Sequence, residues 1–126
     1  MKNKKILITG GCGSIGTMLV KQLQENNNID IIDNFSSNNK IFHSQKKIRI
    51  YKINIANYYR LKKLLIKKKY DYVFHLAANF ANQNSIDNPI KDAQTNIIGT
   101  INLLEILKKN KPIKIIYSSS SCVYGK

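Results

Sequence analysis

The eight residues Thr9-Gly10-Gly11-Cys12-Gly13-Ser14-Ile15-Gly16 constrain this chain more than any other stretch. Four glycines fall within the seven positions from 10 to 16. Lys5-Ile6-Leu7-Ile8 leads into them, and its β-branched and apolar crowding suits a buried strand. Ile15, Leu19, Val20 and Leu23 lead out at the spacing of one helical face. The stretch therefore reads as strand, tight glycine turn and helix start. Backbone N–H groups in such a turn can close on a diphosphate, where the helix dipole favours negative charge. Gly11, Gly13 and Gly16 fit the dinucleotide spacing G-x-G-x-x-G; Gly10, Gly13 and Gly16 fit a second spacing, G-x-x-G-x-x-G. Glycine spacing alone is unspecific, because many turns need positive φ. The rest of the chain has to supply the context.

It does so by alternation. Asn26-Asn27-Asn28 reads as a turn, and Ile29-Asp30-Ile31-Ile32-Asp33 as a second strand ending in an acid. Asp33 stands about 20 residues past the glycine turn, where an acid accepts hydrogen bonds from adenosine ribose hydroxyls. A carboxylate there repels a 2′-phosphate and argues for NAD over NADP. A polar loop over 34–47 precedes a third strand, Ile48 to Ile53, followed by Asn54-Ile55. Asn57 is placed to cap a helix running to about Lys69, with Leu61, Leu64 and Leu65 inward. Tyr72 to Leu76 is the fourth strand, and Ala77-Ala78 a small-residue exit where backbone can lie close to a ligand.

A loop of Asn79, Asn82, Gln83 and Asn84 leads to a long helix beginning near Ser85 or Pro89. Its apolar side includes Ile97, Ile101, Leu104 and Leu107. Gly99 inside it costs about 1 kcal/mol against Ala, which a close contact with a neighbour or ligand would explain. Ile113 to Tyr117 is the fifth strand, and Ser118 to Gly125 follows it. Strands alternating with helices imply a doubly wound parallel sheet of about five strands, order 3-2-1-4-5, with right-handed crossovers. Ligands in such α/β sheets sit beyond the strands' carboxyl ends. The glycine turn, Asp33, Asn54, Ala77-Ala78 and the serine run all fall there.

The net charge of +14 invites a nucleic-acid partner. The charge is almost all Lys, with only Arg49 and Arg60 as Arg, and apart from runs such as Lys67-Lys68-Lys69 it is scattered. Arg forks are what phosphate and base readers lean on. A solvated surface in a chain rich in Lys, Ile and Asn is the expectation, with no nucleic acid as partner. Cys12 and Cys122 make no disulfide framework, so a reducing cytosol is the default compartment. No apolar run reaches membrane-spanning length and no signal peptide opens the chain; a cytoplasmic protein away from membranes is expected. His43 and His75 lack a second ligand at useful spacing, so no metal site is expected, and His75 reads as packed at a strand end.

With these blocks in order, the chain resembles the extended short-chain dehydrogenase/reductase family: the NAD-dependent nucleotide-sugar epimerases and dehydratases, of the UDP-glucose 4-epimerase kind. The resemblance rests on Thr9 to Gly16, Asp33-Asn34-Phe35, His75-Leu76-Ala77-Ala78, Thr95-Asn96 with Gly99-Thr100, Asn102 to Glu105, and Ser118 to Gly125. It implies that Gly10, Gly13 and Gly16, with the amides of Ser14 and Ile15, hold the NAD pyrophosphate. It implies that Asp33 and Asn34 hold the adenosine ribose, and that Asn54 and Ile55 flank the adenine. The family usually has Asp at the Asn54 position; Asn54 still donates and accepts. Leu76, Ala77 and Ala78 would lie against the middle of the cofactor, with Asn96 and Ser118 at the neighbouring strand ends. Ser120 falls where the family places its catalytic Ser/Thr, bonded to the sugar oxygen that is oxidised. The stretch Asn79 to Asn84, with Phe80, would face the nicotinamide or the sugar.

One part of the pattern is missing. The family's general base is the Tyr of a Tyr-x-x-x-Lys motif after the serine strand, and this chain ends before that point. Tyr58 to Lys62 and Tyr59 to Lys63 have the spacing but lie before the fourth strand, as helix surface. Residues 1–126 are thus expected to be an NAD-binding domain truncated before the later strands, the amino-terminal part of a homodimeric enzyme acting on a nucleotide sugar. A dinucleotide-binding module or sensor without turnover is the alternative.

Overall fold

The computed structural model describes residues 1–37, 46–80 and 82–124; His43 and Gly125 lie outside them. Five strands, β1 (Lys5–Thr9), β2 (Asn28–Asp33), β3 (Ile48–Lys52), β4 (Tyr72–His75) and β5 (Lys114–Tyr117), form one sheet in the order β3-β2-β1-β4-β5. Every pairing is parallel, and Ile6 sits beside Ile29 on one side and Tyr72 on the other. This is the expected doubly wound topology, and β1 lies at its centre.

Successive strand residues face opposite sides of a sheet, which splits the core in two. Ile6, Ile8, Ile29, Ile31 and Ile48 pack with Cys12 and Val20 on the side of α1 (Ser14–Leu23). Leu7, Ile32, Ile53, Ile55 and Val73 pack on the other side against α2 (Tyr58–Leu65) and α5 (Gly99–Leu107). Ile15 departs from the expected inward face of α1: it is 66% exposed, and Gly16 is buried in its stead. The turn after α1 is held by Asn27, whose side chain accepts from Lys4 N–H and donates to Leu23 O. Asn28 already belongs to β2.

Asn57 caps α2 as expected, accepting from Arg60 N–H at 3.1 Å. The helix stops at Leu65, short of Lys69, so Lys67-Lys68-Lys69 follow it rather than end it. The physical reason is that Lys68 turns inward. Its Nζ donates to Asp30 Oδ2 at 2.8 Å, while Arg49 Nε and Tyr70 O–H also donate to that carboxylate. Asp30 is buried mid-strand; burial pushes its pKa up, but these three donors outweigh that and hold it below its ordinary value.

The segment expected as an asparagine loop holds a short helix, α3 (Asn82–Asp87), and the long helix starts at Pro89 after a break at Asn88. It runs as α4 (Pro89–Ala93), a π-helical turn (Gln94–Ile98) and α5. Its expected apolar side is corrected: Leu103, Ile106 and Leu107 are buried, whereas Ile97, Ile101 and Leu104 are 56%, 55% and 45% exposed. Gly99 sets the phase. A Cβ there would lie 2.6 Å from Ile55 Cγ1, so this glycine face must meet the sheet and the Ile97-Ile101-Leu104 stripe turns out. The close contact that Gly99 required is thus a protein neighbour, Ile55.

Candidate functional site

A cleft lies at the carboxyl ends of β1 to β4, where loops leave the sheet. The glycine turn forms its floor through Gly10 and Gly13. Asp33, Asn34, Ser36 and Ser37 line one wall, and Ile53, Asn54 and Ile55 the next. Leu76, Ala77, Ala78 and Asn79 close it from β4, with Lys91 and Thr95 from the long helix. Ten residues given a ligand role in the sequence thus meet here: Gly10, Gly13, Asp33, Asn34, Asn54, Ile55, Leu76, Ala77, Ala78 and Asn79.

The turn is shaped by contacts that only glycine permits. Gly10 has φ +70°, and a Cβ on it would lie 2.7 Å from Ala77 N. A Cβ on Gly16 would lie 2.3 Å from Gly10 O and 2.6 Å from Gly11 Cα. Gly16 therefore packs α1 onto the turn rather than lining the cleft. Gly13 precedes α1 and, having no side chain, cannot cap the helix start with one.

Asp33 is buried and already at work inside the protein. Its Oδ2 accepts from Cys12 N–H at 2.9 Å, and its Oδ1 from Phe35 N–H at 2.8 Å. One carboxylate thus ties the glycine turn to the loop after β2, which lets Phe35 hold φ +59°. Each oxygen keeps a further lone pair, and Asp33 lines the cleft. Burial, and Asp33 second, push the Cys12 thiol up to about 11. Asn34 makes its own turn, accepting from Ser36 N–H, and Asn54 likewise accepts from Ala56 N–H.

His75 is buried, as its strand-end reading expected, and it organises the opposite wall. Thr100 O–H donates to Asn96 O, so Thr100 Oγ1 is left to accept from His75 Nε2 at 2.9 Å. Nδ1 then accepts from Thr9 O–H at 2.6 Å, and Thr9 Oγ1 takes the Ala77 N–H. The chain of bonds fixes the neutral Nε2–H tautomer, and burial lowers the imidazole's pKa in the same direction. It joins β1, the exit of β4 and α5.

Asn96 does not line the cleft. Its amide accepts from Asn79 N–H and donates to Asn79 O and Asp92 Oδ1, clamping the loop that does. Ser118 follows β5 with its N–H on His75 O, and it and Ser120 are exposed outside the cleft lining. Ser14 and Ile15 also lie outside the lining. The sequence reading missed Lys91 and gave Thr95 no place in the cleft, although their spacing of four residues on a helix puts them on one face. It quoted Thr9 and Thr100 only as members of motif blocks and did not foresee their bonds to His75, nor that of Asp92 to Asn96. Among the described residues no cluster of His, Cys, Asp or Glu could hold a metal ion, and no helix is long and apolar enough to cross a membrane.

Comparison with known proteins bears on this arrangement. A profile of the NAD dependent epimerase/dehydratase family matches residues 6–126. The chain is 38% identical over 98% of its length to the bifunctional UDP-glucose 4-epimerase and UDP-xylose 4-epimerase 1 of Pisum sativum, and spans 38% of that protein. An epimerase structure from Methanothermobacter thermautotrophicus superposes with a TM-score of 0.88 at 40% identity, over 96% of this chain and 36% of the other. The Bordetella bronchiseptica enzyme WbmF, solved in complex with NAD+, superposes at 0.86 with 35% identity, over 96% and 37%.

Proposed function

We propose, for a chain that belongs to the NAD-dependent epimerase/dehydratase family, that it is the NAD-binding domain of a nucleotide-sugar epimerase or dehydratase. One observation carries this reading: the glycine turn, Asp33 and the Ala77-Ala78 exit meet in one cleft at the carboxyl ends of parallel strands. The residues fit the cofactor. A Cβ on Gly13 would meet only Gly10 O, at 3.3 Å, so the missing side chain leaves room over the turn for a diphosphate. Gly10 and Gly13, with the amides of Ser14, Ile15 and Gly16, would receive it. Asp33 and Asn34 would accept from the adenosine ribose, and the buried carboxylate disfavours a 2′-phosphate. Asn54 and Ile55 would flank the adenine; Leu76, Ala77 and Ala78 would lie along the middle of the cofactor.

NAD supplies a hydride acceptor and donor for a sugar hydroxyl, commonly at C4. The chain's own part is to fix the cofactor's position, with Ser120 at the end of β5 offering a hydroxyl to the sugar oxygen. Asn96 and Ser118 support the neighbouring strand ends. The proton-accepting Tyr-x-x-x-Lys pair and the sugar-binding lobe belong to polypeptide beyond residues 1–126. The whole enzyme works in the cytoplasm as a homodimer, with the outer Ile97-Ile101-Leu104 stripe available for pairing. The 126 residues by themselves act as a binding module, with no useful turnover.

Titration of the ¹⁵N-labelled chain with NAD+ and NADP+ tests this. Weak binding of NAD+, tighter than NADP+, should shift the amides of residues 10–16, Asp33 and Ala77. Shifts confined to other faces, or none at all, would refute the assignment, and epimerase turnover by the chain alone would refute the module.

A further inference from the structure

We propose that Lys91 is the cationic partner of the diphosphate held over the glycine turn, a proposal that rests on the cleft being an NAD site. Lys91 lines the same cleft as Gly10 and Gly13, and is its only basic side chain among the described residues. Asp33 is the only acidic one among the described residues. A diphosphate brings two negative charges to a cleft whose formal charge, Lys91 aside, is already negative. The turn's amides and the start of α1 offset part of this through partial charges. A full cation offsets the remainder.

The structure leaves Lys91 uncommitted. Among the described residues both ion pairs end on Asp30, on the α2 side of the sheet. The acid next to Lys91, Asp92, accepts from Asn79 and Asn96 through Oδ1, Asp87 accepts from Gln83, and among the described residues neither is ion-paired with Lys91. Asn96 clamps Asn79 by both backbone groups, so the helix bearing Lys91 and the β4 exit are fixed to one another. Lys91 stands one turn before Thr95, and both line the cleft. An exposed ammonium on a four-carbon stem keeps its three donors in water until a ligand arrives, so closing on it requires little desolvation.

The test is an NMR titration of the full 126-residue chain and its Lys91→Met, Lys91→Arg and Lys91→Glu variants with NAD+, ADP and adenosine. Lys63→Met, on the exposed surface of α2, is the control for lost charge. Lys91→Met should raise the Kd for NAD+ and ADP about five- to tenfold. Lys91→Glu should raise it further, Lys91→Arg should stay within about threefold of the parent, and Lys63→Met should match the parent. Adenosine, which has no phosphate, should bind all of them alike. The gap between parent and Lys91→Met should narrow as salt rises from about 0.05 to 0.5 M. Unchanged NAD+ affinity in Lys91→Met, or an equal loss for adenosine, overturns the role of Lys91 while leaving the NAD site standing. A parent chain that binds ADP and NAD+ nowhere near the glycine turn overturns both.

Discussion

Gly10 and Gly13 stand three residues apart in one turn, yet replacing each by Ala should have opposite consequences. Gly10 has φ +70°, where a Cβ costs about 1–2 kcal/mol from its own backbone. That Cβ would also lie 2.7 Å from Ala77 N and 2.8 Å from Ala77 Cα and the Leu76 carbonyl carbon. These are backbone atoms, held in place by Leu76 N–H on Thr9 O at 3.0 Å and Ala77 N–H on Thr9 Oγ1 at 3.3 Å. Relief means sliding the turn away from β4, and overpacking of this kind costs about 1–3 kcal/mol. Gly10→Ala should therefore lose about 2–5 kcal/mol of stability, a large share of a domain's roughly 5–15 kcal/mol. Gly13 has φ −75°, and its Cβ would meet only Gly10 O, at 3.3 Å. Gly13→Ala should lose under about 1 kcal/mol, yet its methyl group would stand in the cleft and weaken NAD+ binding about tenfold or more. Urea unfolding followed by circular dichroism gives the first quantity, and titration of the folded variants gives the second. A Gly10→Ala chain within about 0.5 kcal/mol of the parent, or a Gly13→Ala chain less stable than the Gly10→Ala chain, would refute the reasoning.

Two further outcomes follow from the buried polar groups. Burial lowers the His75 pKa below its ordinary 6.5, so above 6.5 both folded and unfolded chains carry it neutral. As pH falls from about 6.5 to the lowered folded value, the unfolded chain takes up the proton first and stability drops, by at most about 1.4 kcal/mol per pH unit. Thermal melts across this range should show that slope in the parent and not in His75→Gln; equal slopes would show that another group is responsible. Asp33→Asn keeps a single acceptor oxygen for the two amides now served by two, Cys12 N–H and Phe35 N–H. It should cost about 1–3 kcal/mol and speed hydrogen exchange at one of those amides, while narrowing the preference for NAD+ over NADP+. Unaltered exchange at both amides would show that the carboxylate does not hold the turn.

Much of the cleft was legible in the sequence because backbone geometry writes itself into residue type. Gly10 needs positive φ, the strands need apolar runs, and Asn57 caps a helix through its own side chain. Such signals are local, and they placed the strands in order. The turns of the long helix were legible only in part. Pro89 marked its start, but the face it buries was misread, since Ile97, Ile101 and Leu104 have the same periodic spacing as a core stripe. What turned them outward is Ile55, more than forty residues away, which demands a residue without Cβ at Gly99. The end of α2 was lost for a similar reason: Lys68 looked like one more solvated lysine until Asp30 took it.

The sequence by itself settled the alternation of strand and helix, the glycine turn and the acid beyond it, because each follows from contacts within a few residues. Only the tertiary structure decided that Asp33 first secures Cys12 and Phe35, that Thr9, His75 and Thr100 form one neutral chain, and that Lys91 reaches the cleft. Those pairings join residues 21 to 66 positions apart in the case of Cys12–Asp33 and Thr9–His75. No periodicity along a chain records which distant side chain will supply a buried donor with its acceptor.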